Sequence, residues 1–184
     1  QQPRMLLYQG ALNAGRGIEA LLEAMTRLEG VQLWLAGEGD LSEALRQRAR
    51  ELGLFEDKVR FLGFVKPAEL KAITDQAWLG LNLLENTGLS YYYSLANKFF
   101  DNVQARVPVL TMDFPQYRAL NTQHEVAVLL PEASPEAIVA AVQRLMNDAE
   151  AYLAMQKEAE KAAEIWVWEK DKQVLLGVWA TVVH

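Results

Sequence analysis

The chain has 184 residues, 51% of them hydrophobic and 23% charged, which fits one globular domain, or one domain with a helical appendage, and excludes a low-complexity protein. A net charge of −6 and an isoelectric point near 5.0 argue against nucleic acid as the main partner, because neutralising phosphates takes clustered Lys and Arg. With no cysteine there is no disulfide framework and no thiolate metal site, and the two histidines, His124 and His184, lie too far apart in sequence to suggest a histidine-based site.

The N-terminal QQPRML lacks a signal-peptide layout, and no run has the length of a membrane span. The chain starts almost directly on a strand, without an initiator Met, which is expected of a piece of a longer protein. The first strand is Met5–Tyr8. Gln9 through Gly17 then make a glycine-rich turn that opens a helix, on which Ile18, Leu21, Leu22, Met25 and Leu28 repeat with helical period. Glycines such as Gly15 and Gly17 let backbone approach a phosphate, and Arg16 adds a permanent forked donor. A plain turn with a solvated arginine is the competing interpretation, and the segment is neither a dinucleotide fingerprint nor a P-loop.

Val31–Ala36 is the second strand, followed by Gly37-Glu38-Gly39-Asp40, whose glycines suit either a close approach of backbone to a ligand or a tight turn with Asp40 as cap of a helix to Leu52. Val59–Leu62 is the third strand. The apolar Gly63-Phe64-Val65 loop after it suits either the cover of a base or a buried connector to a helix from Pro67 to about Gln76. Leu79–Leu84 is the fourth strand. The polar, aromatic Glu85–Ser94 loop behind it is long enough to suggest function, and three adjacent tyrosines cannot all enter one core, so some should line a cleft. The alternative is an ordinary surface loop.

The next helix carries Lys98 and Asp101 on one face, just before the strand Val107–Thr111. A cation for phosphate and a carboxylate for a ribose diol make a nucleotide kit, and the same pair also makes a surface salt bridge. The nucleotide interpretation expects both side chains to face the Gly15–Gly17 turn rather than each other. Val126–Leu129 is the sixth strand, and Ser134-Pro135 caps a helix bearing Ile138, Val142 and Leu145. A helical tail from Ala149 to about Thr181 ends the chain, rich in Trp between Ile165 and Ala180. Its charge-balanced polar stretch favours packing on a domain over lying on a membrane.

Alternating strands and helices of this kind predict an α/β fold, a doubly wound parallel sheet with a C-terminal helical tail, whose ligands bind beyond the carboxyl ends of the strands. A phosphorylatable receiver of flavodoxin-like fold is disfavoured, because Gln9-Gly10 and Gly63-Phe64 stand where its acids would be.

The segments YQGALNAGRGIEALLEAM, VQLWLAGEGD, VRFLGFVKPAEL and SLANKFFDNVQARVPVL, in that order, resemble the C-terminal, donor-binding half of a GT-B glycosyltransferase of the retaining family 4, group 1 type. The resemblance implies a Rossmann-like donor domain over residues 1–148, a helical extension over 149–184, and a separate N-terminal acceptor domain. It implies a nucleotide-sugar donor such as a UDP- or GDP-sugar, no metal cofactor, and a cytoplasmic enzyme with peripheral association at the inner face of the membrane. Arg16 and Lys98 would hold the pyrophosphate as catalytic cations, with Gly15 and Gly17 beside them. Asp101, seven residues before Pro108, would bind ribose, Phe64 and Val65 the base, and Tyr93 and Ser94 would belong to the donor-binding site. Tyr93 stands where the family has a further acid, Ala11 where it commonly has a second basic residue, and Arg106-Val107 where Gly-x precedes the proline. A GT-B sugar-nucleotide epimerase would share the same donor site.

Overall fold

The computed structural model describes residues 2–182; Gln1, Val183 and His184 lie outside the described residues. In chain order the elements are β1 (Arg4–Gln9), α1 (Ile18–Met25), β2 (Val31–Ala36), α2 (Ser42–Glu51), β3 (Val59–Gly63), α3 (Pro67–Thr74), β4 (Leu79–Asn82), α4 (Leu89–Tyr92), α5 (Asn97–Gln104), β5 (Val109–Met112), α6 (Pro115–Gln123), β6 (Ala127–Leu130), α7 (Pro135–Asn147), α8 (Ala149–Ile165) and α9 (Trp168–Val182). All strand pairings are parallel, in the order β3-β2-β1-β4-β5-β6.

That order makes the chain step outward from β1 to β3 and then return to β4 and run the other way. Right-handed crossovers therefore put α1 and α2 on one face and α3, α5 and α6 on the other. Leu6, Leu33, Leu81 and Leu110 are fully buried strand residues, as a sheet covered on both faces requires. On α1, Ile18, Leu21, Leu22 and Met25 form the buried stripe, and the helix packs on α7. Ser134 caps α7 by accepting a hydrogen bond from the Ala137 amide, as expected. The reversal of direction leaves a crevice between β1 and β4, at the switch point where such sheets take ligands.

Two expectations need correction, and one helix has no counterpart among them. Asp40 does not cap α2: its amide donates to the Asn13 side chain, and the helix starts at Ser42. The segment Pro115–Gln123 is a helix; among its residues Tyr117 is the buried one, so it shows little apolar periodicity. The tail is two helices rather than one, interrupted at Trp166, whose φ −85°, ψ 66° leave the helical region. α8 packs on α5 and reaches the amino end of β4: Tyr152 stacks on Trp78 with ring centroids 5.0 Å apart and donates its hydroxyl to the Trp78 carbonyl at 2.7 Å. Trp166 closes that contact against Phe99, Phe100 and His124, and Gln104 donates to its carbonyl at 2.9 Å. α9 instead shows Trp168, Leu175, Leu176 and Trp179 to solvent.

Candidate functional site

The loops after β1, β2 and β3 are tied into a continuous rim by main-chain hydrogen bonds. The Gly10 amide donates to the Ala36 carbonyl at 2.9 Å, and the Gly37 amide donates to the Gly63 carbonyl at 2.8 Å. Gly37 must be glycine, because a Cβ there would collide with the Gly10 carbonyl. The loop after β4 joins from the other side, the Glu85 amide donating to the Gly15 carbonyl at 3.0 Å. Gly17 enters α1 at φ 66°, and a Cβ on it would lie 2.8 Å from the Leu83 carbonyl oxygen. Backbone at this point therefore sits directly against the end of β4 and presents the first-turn amides of α1 to the crevice.

Two cations occupy that crevice. The Arg16 guanidinium lies over the Tyr91 ring, 5.2 Å from its centroid, and its Nε is buried without a hydrogen-bond partner. Lys98, on the first turn of α5, reaches back over the sheet so that its Nζ stands 4.0 Å from the Tyr8 ring centroid. The same Nζ is 3.1 Å from the point a Gly10 Cβ would occupy. Burial, and then the positive charge of Arg16, push the Lys98 amine down to about 7. The Tyr8 hydroxyl donates to the Ala11 carbonyl at 2.7 Å, and burial lifts its own pKa to about 12. Among the described residues neither Arg16 nor Lys98 has a carboxylate partner.

Asp101 does not join the Gly15–Gly17 turn. It accepts a hydrogen bond from Gln9 Nε2 at 2.9 Å, and Gln9 Oε1 accepts from the Thr74 hydroxyl at 2.9 Å. This chain forms the floor of a cleft of about 290 Å³ between α3 and α5, walled by Pro67, Leu70 and Gln104. Burial raises the Asp101 carboxyl, partly offset by the bond from Gln9. The expected convergence of Lys98 and Asp101 on one turn is thus half met: they avoid each other, and Lys98 alone faces Arg16.

Phe64 projects from the rim with 79% of its surface exposed, whereas Val65 turns inward to the apolar layer with Leu62 and Leu70. The three tyrosines diverge, as their adjacency demanded. Tyr91 lies under Arg16, Tyr92 packs on Phe114 at 5.2 Å, and Tyr93 is exposed. The Ser94 hydroxyl donates to the Tyr91 carbonyl at 2.8 Å, which ties off α4. Sequence reasoning missed Tyr8, Gln9, Thr74 and Tyr91 as parts of the site. The rule that ligands lie beyond strand ends pointed at Gln9, but nothing in a strand-like MLLY marks Tyr8 as the seat of an amine. Among the described residues no group of three or more His, Cys, Asp or Glu side chains could hold a metal ion.

The family described as glycosyl transferases group 1 matches residues 3–148. An uncharacterized glycosyltransferase of Methanocaldococcus jannaschii is 36% identical over 77 residues, covering 40% of this chain and 20% of that protein. The lipopolysaccharide core biosynthesis glycosyltransferase LpsE of Rhizobium meliloti is 37% identical over 60 residues, covering 33% and 17%. The matches therefore span about a fifth of the length of these curated relatives. Among solved structures, Anabaena HepE in complex with UDP superposes with a TM-score of 0.84 at 16% identity, over 98% of this chain and 49% of that one, which shows a shared fold.

Proposed function

Because the chain belongs to the glycosyl transferases group 1 family, we propose that it is the donor-binding half of a retaining glycosyltransferase, which moves a sugar from a nucleoside diphosphate onto a glycan or lipid-linked glycan. The observation that carries this reading is the pair Arg16 and Lys98, two basic side chains facing one crevice with, among the described residues, no carboxylate paired to either. A diphosphate supplies the missing negative charge. The shared fold with HepE, solved in complex with UDP, and the lipopolysaccharide role in the name of LpsE support a nucleotide-sugar donor and a polysaccharide product.

Chemically, the bond from the anomeric carbon to the diphosphate breaks, and charge grows on the departing phosphate oxygens. Arg16, Lys98 and the free amides at the start of α1 stabilise that charge in place, electrostatic work that two fixed cations perform without a metal. Asp101 takes ribose hydroxyls from the α3–α5 cleft, Phe64 and the Val65 backbone take the base, and Tyr93 and Ser94 border the donor sugar. Acceptor binding belongs to an N-terminal domain, and residues 149–182 extend the donor domain. We place the full enzyme in the cytoplasm, peripheral to the inner face of the membrane; among the described residues no helix is long and apolar enough to cross one.

Calorimetry of UDP, GDP and ADP against wild type, Arg16→Ala and Lys98→Ala tests the assignment. Each lost charge-assisted contact should cost roughly 1.5–3 kcal/mol of binding. If neither substitution weakens any nucleotide, the site is elsewhere.

A further inference from the structure

We infer that binding a nucleoside diphosphate draws one proton from solution onto the Lys98 amine, so that the free site holds one permanent cation, Arg16, and one latent cation. The inference rests on the donor-site reading above and adds to it a change of charge on binding.

The geometry around the amine is what demands it. Lys98 Nζ lies against the Tyr8 ring and the Gly10 backbone, with no hydrogen bond or ion pair to it among the described residues. The facing groups are all accounted for. From β1, Tyr8 keeps its proton and donates it to the Ala11 carbonyl. From the loop after β1, Arg16 presents a permanent like charge. Tyr91 of α4 lies under that guanidinium rather than beside the amine. On α5 itself, Asp101 is engaged by Gln9, and beyond β2, Glu38 is paired with Arg46. Glu85, beyond β4, is exposed and makes no ion pair with Lys98.

A charged ammonium here is opposed by burial and by Arg16 together, which leaves the amine near its midpoint at neutral pH, at about 7. A diphosphate between the two residues reverses both influences: it supplies opposite charge and hydrogen-bond acceptors for the ammonium. The proton balance is simple. The amine lone pair accepts H⁺ from a buffer acid, the buffer base is released, and no bond in the ligand changes.

The test is calorimetry of UDP into this chain at pH 8.5 and pH 6 in two buffers of very different ionisation enthalpy. The difference in heat reads the number of protons taken up. At pH 8.5 the terminal phosphate, with a pKa near about 6, is already ionised and contributes none. Uptake at pH 8.5 should be close to one proton; at pH 6 the amine is already charged and the half-protonated phosphate sheds its proton on binding, so uptake should give way to a net release. Lys98→Arg should bind UDP with no uptake at pH 8.5, and Lys98→Gln should bind it more weakly, again with none. Equal heats in both buffers for the wild type at pH 8.5 overturn the inference while leaving the donor site standing, since binding itself is seen. Undiminished uptake by Lys98→Arg assigns the proton to another group and also overturns it. Failure of UDP, GDP and ADP alike to bind overturns the donor-site reading and takes the inference with it.

Discussion

Lys98 and Asp101, three residues apart on α5, reach for different partners: the amine stands over the Tyr8 ring at 4.0 Å, and the carboxylate takes a hydrogen bond from Gln9 at 2.9 Å. At 100° per residue the two side chains leave the helix about 60° apart and about 4.5 Å along its axis, enough to place them on different sides of β1. One helix therefore serves two subsites, a cationic one at the switch point and a polar one toward α3.

The buried amine should cost stability in a pH-dependent way. The folded protein lowers Lys98 from its ordinary 10.5 to about 7, so between those values the unfolded chain binds more protons. The cost is complete below pH 7 and fades as pH rises toward 10.5. Lys98→Met should accordingly melt above wild type at pH 6, with the gap closing by pH 10, each pKa unit corresponding to about 1.4 kcal/mol at most. Scanning calorimetry across that range would contradict the account if the wild type were the more stable at pH 6.

Asp101→Asn should separate the two subsites. An amide keeps the shape of the contact to Gln9 but loses the charge that ribose hydroxyls favour, so UDP affinity should fall by roughly 1 kcal/mol. Inorganic pyrophosphate, which needs Arg16 and Lys98, should bind as before. Equal losses for both ligands would show that Asp101 acts on the phosphate site. Folding stability at neutral pH should not fall, because burial already disfavours the carboxylate there.

Gly17→Ala attacks the loop itself. The left-handed φ of 66° and the 2.8 Å approach to the Leu83 carbonyl together predict a loss of about 1–3 kcal/mol in urea unfolding. Nucleotide affinity should drop as well, since Arg16 is displaced with its neighbour. A stable variant with intact binding would mean that the loop relaxes freely.

The two tail helices should differ in consequence. Deleting residues 168–182 removes a helix whose Trp168 and Trp179 are more than 60% exposed, and the melting temperature should barely move. Trp166→Ala removes the ring seated on Phe99, Phe100 and His124 and should cost about 3 kcal/mol. A reversed order of these two effects would refute the division of the tail at Trp166.

Much of the fold was legible because buried parallel strands leave short apolar runs, and all six were placed from such runs. α6 escaped because Pro115–Gln123 buries chiefly Tyr117, and one residue has no period. The break at Trp166 escaped because aromatic residues on both sides continue an apolar pattern through it. At the site, Arg16 and Lys98 could be named from the strand-end rule and their spacing. What one dimension hides is who faces whom. The seat of Lys98 is a tyrosine ninety residues upstream, and the partner of Asp101 is a glutamine from that same strand, itself held by Thr74 from the last turn of α3.

The rim formed by Gly10, Ala36, Gly37 and Gly63 is held by main-chain groups alone. Its shape is therefore independent of the side chains it displays. Ala11 and Phe64 can be exchanged as fittings on a fixed chassis, whereas Gly37 is a weld. For anyone wishing to retune which base or sugar this crevice prefers, the practical choice is to vary the fittings in combination and leave the glycines alone.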